Sequence, residues 1–238
     1  MKILKALMFV ILITLSFNLY AQDAKPADTK TEETENPFDK PFWEETDIFI
    51  GFTPSVYLST VAQTDSAVSP IFYPVYFGFI WPKDNYFSLQ PSLRLYTSYF
   101  YMKNGEVYPA EIENRTALAF SVMFNVPVVF KMNFWDKSNL TLSAGLGFLL
   151  RFAFLASGVE ESDYGDTGTA GGDLSEINKC FWGGGRFIYL SFGADWMFKI
   201  TDDIQAGPDF ALFIPVGPLF TNFSLNGMMI SLGLKFVF

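Results

Sequence analysis

The last fourteen residues, Leu225–Phe238, read LNGMMISLGLKFVF and alternate along their whole length. Counting back in twos, Phe238, Phe236, Leu234, Leu232, Ile230 and Met228 are all large and apolar. The intervening set, Val237, Lys235, Gly233, Ser231, Met229 and Gly227, is mostly small or polar and carries one charge. A period of two with an unbroken apolar face describes a strand with one face in hydrocarbon. The length suffices, because about 9–11 residues of tilted strand cross a bilayer.

Seven more alternating runs precede it. Ile48, Ile50, Phe52, Val56 and Leu58 share one face of the first, opposite Phe49, Gly51, Thr53, Ser55 and Tyr57. The others are Ile71–Trp81, Tyr86–Phe100, Thr116–Phe134, a run from Leu140 to Phe154, Phe187–Lys199 and Ile204–Val216. Prolines 54, 74, 91, 127, 208 and 215 fall inside these runs, although proline cannot donate to a ladder. The connections alternate in length. Pro82–Asn85, Asp136–Asn139 and Thr201–Asp203 are tight turns, whereas Thr60–Pro70, Tyr101–Arg115 and Ala156–Arg186 are long; Gly217–Phe223 is a shorter loop on their side. The pattern predicts an all-β fold, an eight-stranded antiparallel transmembrane β-barrel over residues 47–238, with both termini on the short-turn side. Trp81, Trp135, Trp196 and Phe238 fall at the turn-side ends of the even strands, where they form an aromatic girdle at one membrane interface.

The closing strand, with Leu232, Leu234, Phe236 and a terminal Phe238, resembles the C-terminal sorting signal of bacterial outer-membrane barrels. Phe124–Leu150 resembles a pattern of small outer-membrane barrel domains. There an apolar strand with Pro127 and Lys131 turns into a strand carrying Ala144-Gly145. Together with strand number and size, these stretches resemble the OmpX/OmpW-like group of eight-stranded barrels. The resemblance implies a bacterial outer-membrane location, outer-membrane lipid as surroundings, and periplasmic chaperones and the barrel-assembly machinery as partners during insertion. It says little about activity, because the group is functionally mixed.

Residues 1–21 read as a signal peptide: Lys2 and Lys5, an apolar core Ala6–Phe17, and a small residue at Ala21. Its uncharged stretch is shorter than the roughly 18 residues of a spanning helix. Its removal takes Lys+Arg from 16 to 14 against 25 Asp+Glu, a formal charge of −11. Such a balance argues against nucleic acid as a partner. Residues 22–46 are acidic, carry Pro26, Pro37 and Pro41, and are expected to be a disordered periplasmic linker. Cys180 is the only cysteine, so no internal disulfide can form, and it reads as a buried, inert thiol.

There is no histidine, which removes Ser-His-Asp chemistry and the usual zinc sites. The charges on the lumen-facing set are Arg94, Lys131, Arg151, Asp195, Lys199, Asp209 and Lys235. Three roles are open to them: an internal salt-bridge plug, a constriction that selects solutes, or a catalytic carboxylate pair. A lone desolvated charge is costly, which favours the first. Phe49, Tyr57, Phe72, Tyr76, Tyr96, Phe187, Tyr189 and Phe213 also face inward, either filling the lumen or lining an apolar cup in its outer half. Ala156–Arg186 combines six carboxylates with glycines, but its spacing matches no calcium loop and it reads as a solvated surface loop.

The chain is therefore expected to be a non-enzymatic outer-membrane protein with surface-exposed loops, serving membrane structure, surface interaction or adhesion. The alternative is a narrow channel for small hydrophobic solutes. No cofactor or metal is expected, and a host or surface ligand is unspecified.

Overall fold

The structure, a computed structural model, describes residues 41–58, 71–111, 113–135, 138–222 and 224–238. The proposed signal peptide, most of the acidic linker and the Thr60–Pro70 loop lie outside the described residues. Eight strands close into an antiparallel barrel. They are β1 (Asp47–Phe52 continuing as Ser55–Leu58), β2 (Ile71–Phe72 and Val75–Ile80), β3 (Phe87–Leu89 and Ser92–Lys103), β5 (Ala117–Trp135), β6 (Ser138–Leu155), β7 (Ile188–Lys199), β8 (Gln205–Pro215) and β9 (Met228–Val237). A ninth, β4 (Glu106–Ala110), folds back on β3. Closure comes from β9, which pairs with both halves of β1, for example Ile50 with Phe236 and Tyr57 with Met229. At the short-turn end Ile48 and Phe238 exchange two backbone hydrogen bonds.

The alternation reads out as two surfaces. Outward residues are large, apolar and exposed, including Ile48 (63%), Phe154 (59%) and Leu232 (64%). Inward residues such as Phe49, Thr53, Ser121 and Lys235 are at 1% or less. An exposed apolar band around a closed wall is stable only against hydrocarbon. No helix among the described residues is long and apolar enough to cross a membrane.

The awkward prolines are accommodated at ladder breaks or by their carbonyls. Pro54, Pro74 and Pro91 sit between the paired halves of β1, β2 and β3, and each still accepts a bond, from Leu232 N, Thr53 N and Phe79 N respectively. Pro127 lies within β5 opposite Gly145, where a Cβ would come within 2.4 Å of Pro127 Cα, so the glycine gives the ring its space.

Two stretches expected to be loops are ordered. Asn104 and Gly105 both have positive φ (54° and 76°), which makes the tight turn joining β3 to β4. Within Ala156–Arg186, Ala170–Trp182 is a helix, α1, capped by Thr169 Oγ1 accepting from Gly172 N at 3.1 Å. A short helix, α2 (Val216–Asn222), follows β8. Strands β5 and β6 rise past the end of β7, whose register starts at Ile188 opposite Phe148. With β3 and β4 they form a tall wall on the long-loop side.

At the opposite end Pro41–Thr46 forms a turn at the base of the barrel: Glu45 O accepts from Lys83 N, and Phe42 packs edge-to-face on Phe79 at 5.4 Å.

Candidate functional site

The middle of the lumen holds a four-charge cluster. Asp195 and Asp209 lie directly opposite each other on β7 and β8, a like-charge pair that would be destabilising alone. Two cations offset it. Lys235 Nζ, on β9, bonds Asp195 Oδ2 at 2.9 Å, with both side chains almost wholly buried. Arg94 crosses the lumen from β3, placing Nη2 3.7 Å from Asp209 Oδ2 and donating from Nη1 to Thr53 Oγ1 at 2.9 Å. Tyr76 donates to the same Asp209 oxygen at 2.7 Å, and its ring carries the Arg94 guanidinium 4.1 Å above it. Tyr76 reaches this position over Gly51, where any Cβ would lie 2.2 Å from the ring. Six strands are thereby tied through one neutral cluster, and ion pairs of this depth are held by such extra hydrogen bonds.

Beside it Gln90, Asn125, Ser191 and Asp195 line a cavity of about 20 Å³, polar and wide enough for one water. Below, toward the short turns, Phe49, Tyr76, Ile80, Met197 and Val237 make an apolar floor. Above, Phe72, Tyr96, Met123, Leu149, Tyr189, Phe213 and Met229 fill the section. The inward aromatics therefore divide between two layers: Phe49 and Tyr76 belong to the base and not to a cup in the outer half.

Of the seven charges expected to face the lumen, the cluster takes Arg94, Asp195, Asp209 and Lys235. Lys199 departs from that expectation: it sits exposed at the turn and pairs with Asp202 at 2.9 Å, because the strand ends there. Lys131 lies near the same end and donates to Lys83 O at 3.1 Å. Arg151 is buried (4% exposed) but stands a level higher, at the outer mouth.

The mouth is occupied by α1. Ile177 and Phe181 of its buried face, with Leu174 beside them, pack on Phe100, Ala117, Ala119 and Ala153 of the tall wall. The wall residues are small where the helix approaches. Asn178 clips α1 to the unpaired edge of β6: its Oδ1 accepts from Ala153 N at 3.1 Å and its Nδ2 donates to Ala153 O at 3.3 Å. Phe181 stacks edge-to-face on Phe100 and lies under the Arg151 guanidinium at 4.2 Å.

The segment leading to α1 is a hydrogen-bonded ledge. Asp166 accepts both turn amides of the β3–β4 hairpin, Asn104 N at 3.0 Å and Gly105 N at 2.8 Å. Asp173, 1% exposed, accepts from Asp166 N, Thr167 N and Thr167 Oγ1. These carboxylates are committed to backbone donors, and no metal-holding group of three acidic, His or Cys side chains occurs among the described residues.

Trp81, Trp196 and Phe238 all sit at the short-turn rim, Trp196 and Phe238 exposed at 41% and 54%. The Trp135 side chain lies outside the described residues. The sorting-strand residues Leu232, Leu234, Phe236 and Phe238 all point outward into the apolar band.

Sequence reasoning missed α1, the hairpin and the pairing of Arg186 with Cys180, whose Sγ lies 3.1 Å from Arg186 Nη1. The signals were present: Ala170, Leu174, Ile177 and Phe181 recur at helical spacing after Thr169, and Asn104-Gly105 is the commonest short hairpin turn.

No protein-family model matches the chain, and no curated protein matches it. Among solved structures, Neisserial surface protein A aligns at a TM-score of 0.50 with 7% identity, over 81% of this chain and 96% of that one. OprG, an outer membrane protein from Pseudomonas aeruginosa, aligns at 0.47 with 9% identity, over 81% and 95%. Ail, the attachment invasion locus protein of Yersinia pestis, aligns at 0.40 with 11% identity, over 81% and 97%. At such identities the likeness concerns the fold alone. That fold is a small closed antiparallel barrel of eight strands.

Proposed function

We propose that this chain is an integral protein of a bacterial outer membrane, closed along its axis and non-enzymatic, that acts through the surface above its outer rim. One observation carries the reading. Every level of the lumen is filled: an apolar floor, a neutral ionic cluster, an aromatic layer and a helix seated in the mouth. A barrel of eight strands has an interior just wide enough for such filling. Catalysis by the lumen carboxylates is opposed by their partners: Asp195 is bonded to Lys235, and Asp209 accepts from Tyr76 with Arg94 beside it.

What remains to act is the outer surface, where the ledge presents Tyr164 (93% exposed) amid acidic side chains. Outer-membrane lipid meets the outward band, the termini face the periplasm, and a host or surface ligand meets the ledge. Osmotic swelling of liposomes carrying the folded protein tests the closed lumen. Swelling in small amino acids, sugars and short alcohols is expected to match that of protein-free liposomes. Influx graded by solute size would replace this reading with the narrow channel.

A further inference from the structure

Among the described residues three cations are buried in this lumen, and one of them has no salt-bridge partner. Arg94 faces Asp209 and Lys235 faces Asp195, whereas no carboxylate among the described residues forms a salt bridge with Arg151, whose neighbours are the hydroxyls of Tyr57, Tyr96 and Tyr189 and the Cys180 thiol. Tyr57 is its hydrogen-bonding neighbour, and Nε has no partner. A guanidinium cannot shed its proton to escape this environment, so its charge must be balanced or left exposed to a large desolvation cost.

The surroundings have the form of a binding site. Arg151 lines a cavity of about 30 Å³ at the outer mouth, room for one water or for a group the size of a carboxylate. Arg186 and Glu106 line the same cavity, so the local charge is two positive against one negative. Arg186 is anchored by donating from Nη1 to Cys180 O at 3.4 Å. Phe181, held by α1, walls the cavity and fixes the guanidinium plane from one face.

We propose that this cavity binds a small singly charged oxyanion, a free carboxylate of formate or acetate size, on the Arg151 guanidinium with Arg186 as the second cation. The residual single positive charge matches one anionic unit. The planar fork of arginine pairs with a carboxylate through two parallel bonds. The narrow volume excludes larger bodies.

The test is a titration followed by ¹⁵N NMR of the arginine Nε–H signals, using the full folded chain in lipid nanodiscs. The Arg151 signal is assigned by its loss in Arg151→Lys, and in parallel Arg186→Gln is titrated. Acetate is expected to move the Arg151 signal saturably, while acetamide, of the same shape without the charge, and equal sodium chloride do not. Arg186→Gln, which leaves the Arg151 site in place, should weaken acetate binding about tenfold. The wild-type titration alone decides the matter if Arg151→Lys fails to fold, because the signal can then be assigned through its contact to Phe181. An Arg151 signal that ignores acetate, or that responds equally to acetamide or chloride, overturns the proposal.

Discussion

The two ends of the lumen are shut by different means. At the base, residues of the wall itself meet across the axis: Phe49, Tyr76, Ile80, Met197 and Val237 come from strands β1, β2, β7 and β9. At the mouth three of the wall residues under the helix are alanines, with Phe100 beside them, and a separate element is set against them. The base therefore shares the stability of the barrel ladder, while the mouth depends on the docking of one thirteen-residue helix. Local opening is drawn from such weakly tied elements. The contrast is between a floor built from the wall itself and a helix docked against the wall.

The largest effect is expected in the ionic cluster above the floor. Asp195→Ala strands Lys235, a side chain 1% exposed, without its counter-charge. Global stability should fall by about 3–5 kcal/mol, read from urea unfolding of the barrel in lipid vesicles. A change below 1 kcal/mol would mean that water reaches this layer and that the lumen is not sealed there.

Next comes overpacking beneath the lid. Ala119→Phe fills the space that Ile177 and Phe181 use, at a cost of about 1–3 kcal/mol to docking. Protease should then cut within residues 156–186 while the barrel keeps its strand signal and its unfolding midpoint. A shift of that midpoint as large as that of Asp195→Ala would erase the distinction between floor and lid.

The same contrast explains what could be read from the chain. The wall and floor were legible because a strand obeys one rule, period two, and burial then follows from position: Phe49, Tyr76 and Lys235 fall inward by counting alone. The pairing of Lys235 with Asp195 and of Arg94 with Asp209 was not legible, since it depends on register and shear across the lumen. The lid was missed for another reason. Ala156–Arg186 mixes glycine and acids in the proportions of a solvated loop, and the helical spacing of Ala170, Leu174, Ile177 and Phe181 within it went unread. Three of the acids, Asp163, Asp166 and Asp173, proved to be local structure, accepting amide hydrogens of turns.

Asp173→Asn addresses that local role. It removes charge from an acceptor of three donors and should cost about 1–2 kcal/mol of ledge stability. Hydrogen exchange at Asp166 and Thr167 amides should quicken several-fold, with amides of the floor strands unchanged. Equal acceleration in both places would show that ledge and wall open together.

The smallest effect is on Cys180. Burial pushes its thiol above the usual range near 8.5, although Arg186 and Arg151 pull the other way. A raised value in the folded state means that lid docking is at full strength below about pH 8.5 and weakens as pH rises through the folded value. Maleimide labelling should therefore lag behind that of a free thiol at pH 8, and Ala119→Phe should restore the faster rate. Rapid labelling of the wild type would place Cys180 in open solvent.

A lumen closed at both ends passes no ions, which current through single molecules reads. The mature chain, verified as folded, would be inserted into planar bilayers beside a variant in which residues 156–186 are replaced by a short glycine-serine linker. The wild type is expected to be silent. The variant should be silent as well, because the floor and the Arg94–Asp209 and Lys235–Asp195 pairs still span the section below the lid. Discrete openings in the wild type would contradict the closed barrel.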